Sequence, residues 1–151
     1  QIPESNPVMR TRVTDGRNGF SFSTPNGWRA QSDAPGKRIS LQKGDSQTMI
    51  SMRFATEAMP ATAEQFKAHA LRKIAGAKVL EEFAASSGGG KGLGIDVAHA
   101  VSGVPLITRL VVFPGVSGSV EVSLAAPPQE FESLHIAWTG FINSFRIEPA
   151  K

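Results

Sequence analysis

The sequence predicts an α+β fold, a mainly antiparallel sheet of about six to eight strands packed with two α-helices. Three observations carry this. Residues 127–147 (PPQEFESLHIAWTGFINSFRI) place Phe131, Leu134, Trp138, Phe141, Ile142 and Phe145 at steps of three and four, which is one apolar stripe on a helix. Several short segments alternate apolar and polar residues with the period of two of a half-buried strand. The connections between consecutive segments are turns, too short for the crossover that parallel neighbours require. The order strands, helix, strands, helix sets helices against an antiparallel layer.

Taken in order, residues 1–7 are polar and proline-bearing, a loose lead-in, and residues 8–14 (VMRTRVT) read as an edge strand running into the turn chemistry of Asp15-Gly16-Arg17-Asn18-Gly19. Phe20 and Phe22 alternate with Ser21 and Ser23 as a strand with one buried face. Residues 24–27 then turn, Trp28 folds back as a core plug, and residues 31–37 (QSDAPGK) read as a loop. Ile39 and Leu41, then Ile50, Met52 and Phe54, continue the alternation on either side of Gly44-Asp45, which makes a hairpin. Met59-Pro60 ends it. Thr62-Ala63-Glu64-Gln65 is a capping box opening a helix with Phe66, Ala70, Leu71 and Ile74 on its inner side and Gly76 as its stop.

Residues 79–85 form the next strand, and residues 86–90 (SSGGG) a flexible connection. Leu93, Ile95, Val97, His99 and Val101 alternate strictly with Gly94, Asp96, Ala98 and Ala100, whose small size would let a helix lie close on that side. Residues 103–105 turn the chain. Residues 106–113 (LITRLVVF) end in four apolar residues, the mark of a central strand covered on both faces, and Val120, Val122 and Leu124 make the last strand before the final helix, which Pro127 and Pro128 begin.

The 151 residues fit one domain, expected to bury roughly 68 to 70% of its unfolded surface. We expect residues 1–12 as lead-in or edge strand, 13–147 as the single domain and 148–151 as a tail. A composition 40% hydrophobic and 19% charged excludes a disordered chain. The absence of cysteine removes disulfides, thiolate metal sites and cysteine nucleophiles and leaves the compartment open. The first residue, Gln1, leads us to expect a processed export signal and a periplasmic or secreted protein, with a cytoplasmic one as the alternative. No apolar run approaches the ~20 residues of a membrane helix, so no membrane span is expected. The net charge of +3 comes from residues 1–53, where eight cations face four carboxylates across several strands and turns. Without a basic helix or interleaved aromatics this predicts a solvated positive face rather than a nucleic-acid partner.

No constellation of catalytic residues emerges. Ser87-Gly88-Gly89-Gly90-Lys91-Gly92 lacks the Lys-Ser/Thr pair of a phosphate loop and leads into a strand, not a helix whose amides could hold phosphate. His69, His99 and His135 are scattered over three elements without metal-ligand spacing, and His99 falls on the apolar side of its strand. Glu81 and Glu82 are adjacent and would point to opposite faces; Glu130 and Glu132 suit a helix start electrostatically; Ser117 in GVSGS misses the nucleophile elbow and precedes a strand. We therefore expect no catalytic, cofactor-binding or metal-binding residues, no cofactor and no enzymatic activity.

The opening GFSFSTPNGW and the closing FINSFRI, with hairpin, helix, meander and helix between them, resemble the PsbP-like superfamily over roughly residues 13–147. Phe20, Phe22, Trp28, Phe141 and Phe145 carry the resemblance and are core residues on either account. The resemblance implies a PsbP-like sandwich and a largely non-enzymatic function in docking, scaffolding or chaperoning. The expectation is an extracytoplasmic bacterial binding or assembly module, monomeric or weakly dimeric, with a protein partner. The alternatives are a small-ligand or lipid carrier, with a helix–sheet pocket near Trp28 and Trp138 and converging on His99 or Asp96, and a cytosolic chaperone of secretion effectors.

Overall fold

The computed structural model describes residues 9–15, 20–25, 27–32, 38–44, 48–87, 90–115 and 118–147. Strands β3 (Trp28–Ser32), β4 (Arg38–Lys43), β5 (Met49–Ala55), β9 (Ser119–Ala126), β8 (Val104–Pro114), β7 (Gly90–Val101) and β6 (Lys78–Ser87) lie side by side in that order in a seven-stranded sheet, every pair antiparallel. A second sheet of three strands, β1 (Met9–Asp15), β2 (Phe20–Pro25) and β10 (Arg146–Ile147), has β2 at its centre and is also antiparallel. The α+β class and the antiparallel layer expected from the alternation are both present.

Each face of the large sheet is closed differently. On one face, β2 and the helix α3 (His135–Ser144) pack over Leu41, Ile50, Met52, Val111, Phe113, Val120, Val122 and Leu124. This aromatic face is built from ring contacts: Phe20 to Phe54 at 4.6 Å, Phe22 to Phe141 at 5.5 Å and Phe113 to Phe145 at 6.2 Å between centroids. Each such pair contributes ~0.5 to 1.5 kcal/mol beyond its buried area. On the opposite face, helix α1 (Ala63–Lys73) sets Phe66 and Ala70 against Ile95, Val97, Leu110 and Val112. Thr62 caps α1 by accepting from the Gln65 amide at 3.1 Å, and the Gln65 side chain accepts from the Ala61 amide at 3.1 Å, one residue before the N-cap amide that a capping box would engage.

Five expectations need correction. The final helix is not continuous: α2 (Pro128–Phe131) passes through a 3₁₀ turn (Glu132–Leu134) into α3, and the chain then re-enters a sheet as β10. The Ser133 hydroxyl donates to the Glu130 carbonyl at 2.8 Å, competing for the acceptor that the next α-turn would need. The loop expected over residues 31–37 starts later: Gln31 and Ser32 belong to β3, at whose head Trp28 is buried in the core as expected, and residues 33–37 lie outside the described set. Leu71 is 38% exposed rather than on the inner side of α1. The β7–β8 turn is Ser102-Gly103, at φ +52° and +81°, which leaves Val104 and Pro105 in the strand. Two positive φ values are what a two-residue hairpin turn matching strand twist demands. The connection expected over residues 86–90 is also shorter: Ser86 and Ser87 are in β6 and Gly90 is in β7, with residues 88–89 outside the described set.

Candidate functional site

Strand register brings two charged residues together in the aromatic face. Asp96 of β7 stands opposite Arg109 of β8, so both side chains leave the sheet on the same side. Arg109 donates through Nε and Nη2 to the two Asp96 carboxylate oxygens at 2.9 and 3.0 Å, a bidentate fork. The Asp96 side chain is 7% exposed and that of Arg109 19%. Such a pair survives burial only with this geometry, because desolvating two charges costs about as much as their attraction returns.

Rings enclose the guanidinium. Its carbon lies 5.1 Å from the Phe83 centroid, 5.4 Å from Phe131 and 5.8 Å from Trp138, so β6, α2 and α3 each contribute a wall. The Phe83 ring covers Gly94, where a Cβ would approach it to 2.2 Å. The close approach expected on the small-residue side of β7 is therefore made by a ring from the neighbouring strand and not by a helix. Between sheet and helices remains a half-open cavity of about 180 Å³. Arg109 and Leu124 form its sheet side, Phe131, Leu134 and Trp138 its helix side, and the exposed Glu132 and His135 stand at its rim. Trp28 is not among its walls, and His99 leaves β7 on the other face.

A second polar cluster lies across the sheet. The Glu121 carboxylate, 8% exposed, accepts from Lys73 Nζ at 2.8 Å, stands 2.7 Å from His69 Nε2 and lies 3.6 Å from Arg53 Nε. The last distance is too long for a hydrogen bond and leaves Arg53 Nε buried without one. Burial pushes the Glu121 carboxyl up, but the hydrogen bond and charge of Lys73, the hydrogen bond of His69 and the charge of Arg53 outweigh it and hold the group below the usual carboxylate range. This cluster ties α1 to β9 and β5.

The three histidines do not converge. His69 meets Glu121, His99 pairs with the Thr108 hydroxyl at 2.7 Å, and His135 stands at the cavity rim. Burial pushes the His99 imidazole below its usual range. Glu82 pairs with Lys67 at 3.6 Å across to α1, whereas Glu81 is in register with Asp96; Glu130 accepts from the Thr48 hydroxyl at 2.8 Å. Gly88, Gly89 and Ser117 lie outside the described residues, and Gly90 to Gly92 are strand. No group of three or more metal-ligating side chains occurs among the described residues. Sequence reasoning missed the Asp96–Arg109 pair. Its signal was present: an arginine in LITRLVVF, a strand covered on both faces, requires a buried acceptor.

No protein-family model and no curated protein matches the chain. Solved structures do. Cyanobacterial PsbP (CyanoP) from Synechocystis sp. PCC 6803 superposes with a TM-score of 0.64 at 12% identity, covering 97% of each chain. LpqN of Mycobacterium tuberculosis, described as involved in cell envelope biogenesis, gives 0.53 at 19% identity over 92% of this chain and 90% of that one. The type VI secretion immunity protein TplEi of Pseudomonas aeruginosa gives 0.51 at 16% identity over 100% of this chain and 53% of that one. The chain likewise spans about half, 49%, of a matching protein from Bacteroides thetaiotaomicron VPI-5482. The chain has a PsbP-like fold. At these identities the likeness concerns the fold.

Proposed function

We propose that this chain is a non-enzymatic docking module that works outside the cytoplasm and binds an acidic protein surface through the open half of its large sheet. One observation carries the reading. On the α1 face, α1 packs on β7, while the other half, β3, β4, β5 and β9, presents Arg29, Gln31, Ser40, Gln42, Ser51 and Ser123 at half-buried or exposed positions. Arg53, its side chain 36% exposed, lies at the inner margin of that half, and Arg38 is in register beside it. A polar, flat and arginine-bearing sheet face suits a surface of opposite charge, where complementarity governs specificity and encounter rate. In further support, LpqN is described as involved in cell envelope biogenesis and TplEi as an immunity protein, both with folds of this kind.

Photo-crosslinkers placed at Gln42 and Ser51 in the native envelope are expected to give one discrete protein adduct that weakens with salt. Crosslinkers at Glu81 on β6 and at Arg72 on the outer side of α1 should give none. Equal adducts at all four positions, none at any, or a nucleic-acid adduct would overturn the reading.

A further inference from the structure

The cavity beside Arg109 lies on the opposite face from the proposed docking half and plays no part in that docking; it is the helix–sheet pocket beside Trp138 and the partner of Asp96 that a small-ligand carrier would need. We infer that it is a binding site for a neutral, ring-sized group carrying a hydrogen-bond-accepting oxygen, of which a phenol is the simplest case.

Size sets the first limit. A cavity of about 180 Å³ is close to the ~150 Å³ that holds one benzene ring and well short of the ~300 Å³ at which drug-sized pockets begin. Phe131, Trp138, Leu124 and Leu134 line it on the apolar side and Arg109, Glu132 and His135 on the polar side, so the ligand is a ring with a polar group attached. Polarity sets the second limit. Arg109 gives the Nε hydrogen and one Nη2 hydrogen to Asp96, and the other three N–H, one on Nη2 and two on Nη1, have no acceptor among the described residues. The Arg109 side chain is 19% exposed and lines the cavity, which gives this remaining donor edge an opening. The site therefore offers the Nη1–Nη2 edge as donor to an acceptor group.

Charge sets the third. Asp96 already balances Arg109, and Glu132 stands at the rim, so an anion would meet a neutral pair and a carboxylate. A cation fares no better, because the Phe131 and Trp138 rings already face the Arg109 guanidinium. A neutral acceptor is what remains. The same chemistry arrives either as a free phenol or as a tyrosyl side chain of a peptide.

The test uses the full chain and follows the indole N–H signals of Trp28 and Trp138 by NMR during titration with p-cresol, N-acetyl-tyrosinamide, toluene and 4-methylbenzoate. With p-cresol the Trp138 signal should move saturably, with a dissociation constant on the order of 1 mM for so small a ligand, while Trp28 stays still. Toluene, lacking the acceptor, and 4-methylbenzoate, carrying a charge, should bind at least ~10-fold more weakly, the discrimination one hydrogen bond supplies. Saturation by N-acetyl-tyrosinamide as well identifies a peptide side chain as a competent source; saturation by p-cresol alone restricts the site to free phenols. His135→Trp, at an exposed rim position, should close the mouth and abolish the shifts in a folded protein. Asp96→Asn with Arg109→Gln removes both charges together, so neither is left buried alone, and should weaken p-cresol at least threefold. The inference fails if Trp138 does not respond, if toluene or 4-methylbenzoate binds as well as p-cresol, or if His135→Trp leaves the titration unchanged. Crosslinking through Gln42 and Ser51 is unaffected by any of these outcomes.

Discussion

Asp96 and Glu121 are both buried carboxylates on the same sheet, yet they face opposite sides and are handled in opposite ways. Asp96 has one partner, held by two short hydrogen bonds, and that partner is enclosed by three rings. Glu121 has two cationic neighbours, Lys73 and Arg53, and a histidine, His69, each about one-third exposed, and Arg53 leaves a nitrogen without a hydrogen bond. The first arrangement neutralises a charge within an apolar wall and keeps one donor edge for a cavity. The second gathers surface donors, two of them cations, around one anion and so clamps α1 to the middle of the sheet. Buried charge serves shape and specificity in one place and element docking in the other.

The largest effect comes from breaking the enclosed pair. Arg109→Ala strands Asp96 in a site 7% exposed, and we expect a loss of about 3 to 5 kcal/mol, read by urea denaturation. Asp96→Ala with Arg109→Leu should recover at least half of it, because the penalty lies in the lone charge and not in the loss of the pair. A double variant as unstable as the single would mean that the pair itself contributes the stability.

Glu121→Gln should cost less, about 1.5 to 3 kcal/mol, the value of hydrogen bonds to a charged acceptor. Here pH sharpens the comparison. The folded carboxyl is held below its ordinary value of 4.5, so its contribution is complete above that value and fades as pH falls through the lower folded one. The stability difference between wild type and Glu121→Gln should therefore be constant at neutral pH and shrink below about 4.5. A difference that persists undiminished in acid would show that the carboxylate's charge is not what binds α1.

The contrast also explains what the sequence could disclose. Alternation in residues 39–54 and 93–124 is local, and it located the strands because a strand with one buried face must repeat every two residues. Capping at Thr62 is likewise local. The pairing of Asp96 with Arg109 depends on register, a relation across 13 residues and a Ser102-Gly103 turn that was expected over residues 103–105. With the turn misplaced, the partners are offset. The Glu121 cluster joins β9 to α1 over 48 residues and has no sequence pattern at all. β10 is two residues long, too short for any period, and the break at Ser133 turns on one hydroxyl choosing the Glu130 carbonyl.

The smallest expected effect tests the wall around Arg109. A methyl group at Gly94 would stand 2.2 Å from the Phe83 ring edge, so Gly94→Ala must push that ring, half-buried and at the edge strand, away from the guanidinium. Because the ring can swing outward, the cost should sit at the low end for overpacking, about 1 kcal/mol. In a Phe83→Leu background the smaller side chain leaves room, and Gly94→Ala should then be neutral within measurement. Ser123→Ala, on the open half of the other face, should be neutral in either background. Equal costs for Gly94→Ala with and without Phe83 would mean that backbone freedom at Gly94, and not the ring it makes room for, is what the strand needs there; the aromatic enclosure of Arg109 would then be incidental to the glycine.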